Sequence, residues 1–101
     1  MKVSIVYKSR WMFWAAGMVL WPWVWFNPAK MHVSNRLYRH ELEHCYQVKR
    51  LGRFKFYTTY LWYQLRYGYK KNPFEVEANE RENDPLTEQE KQWRENGKII
   101  L

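Results

Sequence analysis

The sequence predicts an α+β domain: short N-terminal strands packed on three to four helices, with residues 35–51 as the central helix. Three observations predict it. The apolar and polar residues that alternate at the start give way near Ser34 to a 3-4 spacing that continues, with breaks at glycine and proline, almost to Leu101. The 101 residues suffice for one modest core, so residues 1–101 are expected to form a single domain. The first helical stretch carries His40-Glu41-Leu42-Glu43-His44, whose two imidazoles stand one above the other on one helix face and make this the helix that the rest of the chain serves. Helices should therefore outnumber strands.

From Met1 to Tyr7, Val3, Ile5 and Tyr7 alternate with Lys2, Ser4 and Val6, the period of a half-buried strand, and Lys8-Ser9-Arg10 ends it. Trp11 to Phe26 is almost uninterruptedly apolar and holds five tryptophans. As a membrane-crossing helix it is short, about 20 apolar residues being required, and Pro22 falls within its second half. A signal peptide would have a Leu/Ala-rich centre followed by a small-residue cleavage site, and this stretch has neither. The segment reads as structure that divides at Gly17 and Pro22 into Trp11 to Leu20 and a short strand, Trp23 to Phe26, packed under the central helix. Its apolar area exceeds what one small domain needs, so contact with a membrane surface or a larger protein complex through Trp11–Phe26 stands beside that reading. Asn27-Pro28-Ala29 is a turn, and Lys30 to Val33 a further short strand.

Ser34 and Asn35 are N-cap candidates, and Leu37, His44, Val48 and Leu51 recur at helical spacing until Gly52 stops the helix. In a second helix, Arg53 to about Tyr67, the row Phe54, Tyr57, Thr58, Leu61, Trp62 and Leu65 is expected to face inward against the first helix. Gly68 breaks it. Asn72-Pro73-Phe74 opens a third helix with Glu75 in its first turn. After the Asn83-Asp84-Pro85 turn, Thr87-Glu88-Gln89-Glu90 has the form of a capping box and starts a helix anchored by Trp93 and stopped by Gly97. Lys98 to Leu101 is apolar enough to add a short strand or dock on a neighbour.

Imidazoles four residues apart on a helix lie on one face, so His40 and His44 can grip a single metal ion, and the pattern is a zinc signature. Glu41 stands about 100° round the helix from His40 and can act as general base toward water in the open position of such a site. Catalytic zinc usually takes three protein ligands, and the third is sought on a second helix, at Glu75 or Glu77. Gln47 can hydrogen-bond a ligand or lie at the surface. His32 reads as an ordinary strand residue and Cys45 as core packing.

His-Glu-x-x-His on one helix followed by Glu75-x-x-Ala78-Asn79 on another resembles the gluzincin zinc metallopeptidases in their compact form. The resemblance spans His40 to about Asn79. It implies zinc as cofactor, His40, His44 and Glu75 as ligands, Glu41 as the catalytic base, and hydrolysis of a peptide or protein substrate. The family's Asp, which supports a ligand histidine, is Asn79 in this chain, where an amide would orient the ring without raising its basicity. Glu77, directly before Ala78, competes for the ligand role, because other gluzincins carry their ligand in a Glu-Ala pair. If the third helix starts near Pro73, Glu75 and Asn79 share a face and Glu77 lies about 200° from Glu75. Peptide hydrolysis also needs a donor for the developing oxyanion, and Tyr69 and Tyr67 are the candidates. An exposed strand edge such as Lys30–Val33 would hold the extended substrate.

Lys and Arg exceed Asp and Glu by seven, and much of the excess is interleaved with aromatic residues between Arg36 and Lys71. Solvated helix faces account for it; nucleic-acid contact through Arg53, Lys55, Arg66, Lys70 and Lys71 is the weaker reading. One cysteine excludes an internal disulfide and is consistent with an intracellular setting, cytoplasmic or associated with a membrane or larger assembly. Sequence for a Gly-rich phosphate loop, a repeat or a Cys-pair metal finger is absent. Beside the peptidase stands a second class of function, a zinc-binding assembly protein without catalysis that docks through its Trp-rich segment.

Overall fold

A computed structural model describes residues 2–7, 17–20, 22–27 and 34–101. In order these form β1 (Lys2–Val6), β2 (Gly17–Leu20), β3 (Trp23–Phe26), α1 (Asn35–Leu51), α2 (Arg53–Tyr67), α3 (Pro73–Arg81), α4 (Glu88–Asn96) and β4 (Lys98–Ile100). The architecture is α+β, as expected. Helices and strands are equal in number among the described residues, four of each, and the helical excess lies in their length. Residues 11–16 of the apolar segment, the Lys30–Val33 strand and His32 lie outside the described residues.

The strands form one sheet in the order β2-β3-β1-β4. β1 runs parallel to β3, with Ile5 opposite Val24, while β2 pairs antiparallel with β3 and β4 with β1. The alternation of β1 buries Val3 directly opposite Ile99 of β4, and with Val24 and Phe26 these residues meet Tyr38, Leu42 and Cys45 of α1 in the core. Cys45 thus packs, as its position on α1 suggested. α4 joins the same core through Trp93 and is tied to α1 by hydrogen bonds. Its Thr87–Glu90 capping box is formed on both sides, the Tyr38 hydroxyl donates to the Glu90 carbonyl at 2.9 Å, and Tyr46 donates to the Glu90 carboxylate at 2.6 Å. Gly97 ends α4 in the left-handed region, at φ 73°, and its carbonyl accepts from Ile5 N–H, which joins β4 to the sheet.

The inward face of α2 corrects the expectation. Phe54, Leu61, Trp62 and Leu65 are exposed, and the helix docks instead through Phe56, Tyr60 and Tyr63. Phe56 meets Phe74 edge-on at 4.9 Å between ring centroids, and Tyr63 meets the same ring at 5.4 Å. Both rows have 3-4 spacing and both are apolar. Tyr57 of the expected row stays half-buried, its hydroxyl donating to the Val19 carbonyl at 3.0 Å, and beside it Tyr60 donates to the Glu75 carboxylate at 2.5 Å.

Candidate metal centre

α1 begins at Ser34, whose side chain accepts from Leu37 N–H, and it runs unbroken past both histidines, so His40 and His44 stand one turn apart with ring centroids 5.1 Å from each other. α3 brings the third group. The buried Asn72 side chain caps α3 by accepting from Phe74 N–H and donates back to the Tyr60 carbonyl and the Gln64 amide oxygen, which ties the start of α3 to α2. Ala78 is fully buried, and its small side chain lets α3 lie close against α1. Glu75 Oε1 consequently sits 3.0 Å from both His40 Nε2 and His44 Nε2. One ligand atom from each of the three buried residues falls within 4.8 Å of the others, a group that could hold a metal ion.

Glu77 is not part of this group. Its carboxylate turns toward Gln47 and Arg50, which donate to it at 3.0 and 3.2 Å. The two hydrogen bonds, the Gln47 one foremost, hold its pKa below the ordinary carboxylate range.

Both rings are fixed from behind. His44 Nδ1 lies 2.8 Å from Gln47 Oε1, and because Gln47 Nε2 donates to the Phe74 carbonyl and to Glu77, that amide oxygen must accept the proton on His44 Nδ1. Gln47 is therefore a buried support for the ring. His40 Nδ1 lies 3.1 Å from Glu82 Oε2, and Glu82 is held in turn by Arg36 at 2.6 Å. Asn79, expected to orient a ligand histidine, is exposed instead. The carboxylate that does so is Glu82, seven residues after Glu75 and so near it in angle along α3.

The electrostatics follow from this geometry. Burial disfavours a charged His44, but the Glu75 hydrogen bond and the charge of Glu41 outweigh it and push the imidazole up to about 9; His40 is raised against the same opposition by the same two carboxylates. Burial would raise the Glu75 carboxyl, yet hydrogen bonds from His40, His44 and Tyr60 hold it far below the usual range. Each Nδ1 already serves an acceptor, so without metal it is a proton on Nε2 that faces Glu75. Those protons stand where a cation would.

Glu41 is buried beside the group, and burial raises its pKa against the opposing charges of His44 and His40. It presses on β2. A Cβ built at Gly17 would come within 3.1 Å of Glu41 Cγ and 3.3 Å of its Oε1, so the strand passes this carboxylate as closely as glycine permits. Tyr69 is half exposed, and its phenol is raised by burial, by the charges of Glu75 and Glu41 and by hydrogen bonding to Glu75, which places it at the rim. Tyr67 packs on Tyr63 and under Arg66 instead. Tyr60, Glu82 and Gly17 were not among the expected site residues. Tyr60 was legible only as the alternative row of α2, and Glu82 only as the next acidic residue along the Glu75 face.

Comparison with known proteins finds no matching family, no matching curated protein and no matching solved structure. No helix among the described residues is long and apolar enough to cross a membrane.

Proposed function

We propose that this chain is a zinc-dependent metallopeptidase of minimal gluzincin type, in which His40, His44 and Glu75 hold the metal and Glu41 handles protons. The convergence of two imidazole Nε2 atoms on one carboxylate oxygen carries the reading. In a tetrahedral zinc site with ligand distances of about 2.0–2.1 Å, neighbouring donors lie about 3.3 Å apart, close to the 3.0 Å separations from Glu75 Oε1 to each ring. Two nitrogens and one carboxylate oxygen also suit zinc by type, and the acceptors behind both rings keep Nε2 as the coordinating atom.

Zinc bound there would supply a Lewis acid that acidifies water and polarises a carbonyl. Glu41, whose affinity for a proton is raised by burial, would take a proton from the attacking water and return it to the leaving amine. Tyr60 orients Glu75 through its short hydrogen bond, and the half-exposed Tyr69 is the phenol available to a developing oxyanion. Among the described residues β2 is an edge strand, and its Gly17 touches Glu41, so an extended peptide paired to that edge would pass beside the base.

The non-catalytic assembly reading drew support from Asn79 in place of an acid. That support weakens, because Glu82 supplies a carboxylate to His40. The decisive comparison is Glu41→Gln against wild type, with zinc content and cleavage of an unfolded protein measured on both. The proposal expects equal zinc and loss of hydrolysis in the variant; a zinc-loaded wild type that cleaves nothing would favour the assembly protein.

A further inference from the structure

The outer face of α2 has no part in the metal centre. Phe54, Leu61, Trp62 and Leu65 are 81, 59, 61 and 77% exposed, and at 3.6 residues per turn they fall within an arc of about 100°. Lys55 and Arg66, both exposed, border that arc on one side, while Arg53, Lys70 and Lys71 stand exposed at the two ends of the helix. No acidic residue occurs between Glu43 and Glu75. The arc also holds exposed Thr58, its other border is the uncharged Tyr57 and Gln64, and the only charges beside it are cations, a composition that discriminates among occupants.

A second copy of the chain would set the Lys55 and Arg66 rows against their counterparts on a molecule whose net charge is already +7, and like charges would oppose the contact. Nucleic acid would reward the cations and the Trp62 ring but gain nothing from the two leucines in the middle of the stripe. An anionic bilayer surface rewards every part of it. Leucine, phenylalanine and tryptophan enter the boundary between headgroups and acyl chains, and Lys and Arg remain among anionic headgroups.

We propose that the outer face of α2 docks the protein on an anionic lipid surface, with the helix lying in the plane of the interface. At 15 residues α2 is about 22 Å long, and it lies on the bilayer without crossing it. Tyr60 stands about 140° round the helix from Leu65, so docking leaves the Glu75 side free. The metal centre is then held roughly 10 Å, one helix diameter, from the headgroups. This surface is independent of the peptidase reading and would serve a catalytic or a non-catalytic protein alike.

The test is co-sedimentation of the purified full chain with phosphatidylcholine vesicles and with vesicles that also contain phosphatidylglycerol. Binding is expected to the anionic vesicles, to weaken as salt is raised, and to fall about tenfold or more in Leu61→Glu/Leu65→Glu, whose circular dichroism should match wild type. Lys55→Ser/Arg66→Ser, which alters exposed side chains only, should also bind less. The proposal is overturned if anionic vesicles do not bind, or if either folded variant binds them as wild type does. A single-stranded oligonucleotide bound in place of vesicles, or a dimer abolished by the leucine variant without vesicle binding, overturns it in favour of those partners.

Discussion

α1 and α2 are neighbours of similar length, 17 and 15 residues, and they use their side chains in opposite ways. α1 buries ten residues, six of them polar or charged, whereas α2 buries Phe56 alone and exposes three large apolar residues and a tryptophan. Ordinary globular helices do the reverse, hiding apolar side chains and showing polar ones. On α1 the inversion is sustained by partners. Arg39 pairs with Glu43, His40 with Glu75 and Glu82, and His44 with Glu75 and Gln47. The buried charge of α1 is the basis of the proposed metal site, and the exposed apolar surface of α2 is the basis of the proposed lipid contact.

The largest expected effect separates the two carboxylates of α3. Glu75→Ala removes the group on which both Nε2 atoms converge and should lower zinc affinity by orders of magnitude, as measured by competition with a chelating dye; Glu77→Ala, whose partners are Gln47 and Arg50, should change it little. Glu82→Gln tests the support behind His40 and should weaken zinc about 10- to 100-fold in the same assay. An unchanged affinity would mean that Glu82 serves only Arg36.

The two faces of α2 can be separated by stability. Phe56→Ala empties a site among His44, Tyr60 and Phe74 and should cost about 3 kcal/mol or more, while Phe54→Ala, at an exposed position, should stay within about 0.5 kcal/mol by denaturant titration. Equal costs would show that Phe54 is covered in solution.

This pair also shows where the sequence was informative. The extents of α1 and α2 were legible because Ser34, Gly52 and Gly68 punctuate them, and α3 because Asn72-Pro73 opens it. His40 and His44 were legible because helical spacing alone puts them on one face; Glu75 was preferred to Glu77 through the resemblance to the gluzincin pattern. The docking face of α2 was not, because its two apolar rows have the same period and each holds a tyrosine whose hydroxyl finds a partner, Val19 for Tyr57 and Glu75 for Tyr60. β2 was obscured by the uninterrupted apolar run around it, which carries no alternation from which its bounds could be read, and Glu82 lies beyond the residues of the motif.

A smaller effect concerns pH in the metal-free protein. Glu75 has a folded pKa below its ordinary 4.5, so its contribution to stability is present above that pH and is lost on acidification. His40 and His44 have raised values, so theirs is complete below about 6.5 and is lost as pH rises, in the case of His44 through about 9. The raised pKa of Glu41 acts in the same direction, its contribution being lost as pH rises from the ordinary 4.5. Melting temperature of the apo protein should fall between pH 6.5 and 9, and saturating zinc, which needs neutral imidazoles, should flatten that decline. A metal-free protein equally stable at both pH values would break the electrostatic side of the comparison.

The central claim is that the buried charges of α1 and α3 form a metal site, and elemental analysis of the purified chain tests it most directly. The account predicts one zinc per chain in the wild type and none retained in His44→Ala. A wild type without zinc, or zinc undiminished in His44→Ala, would contradict it.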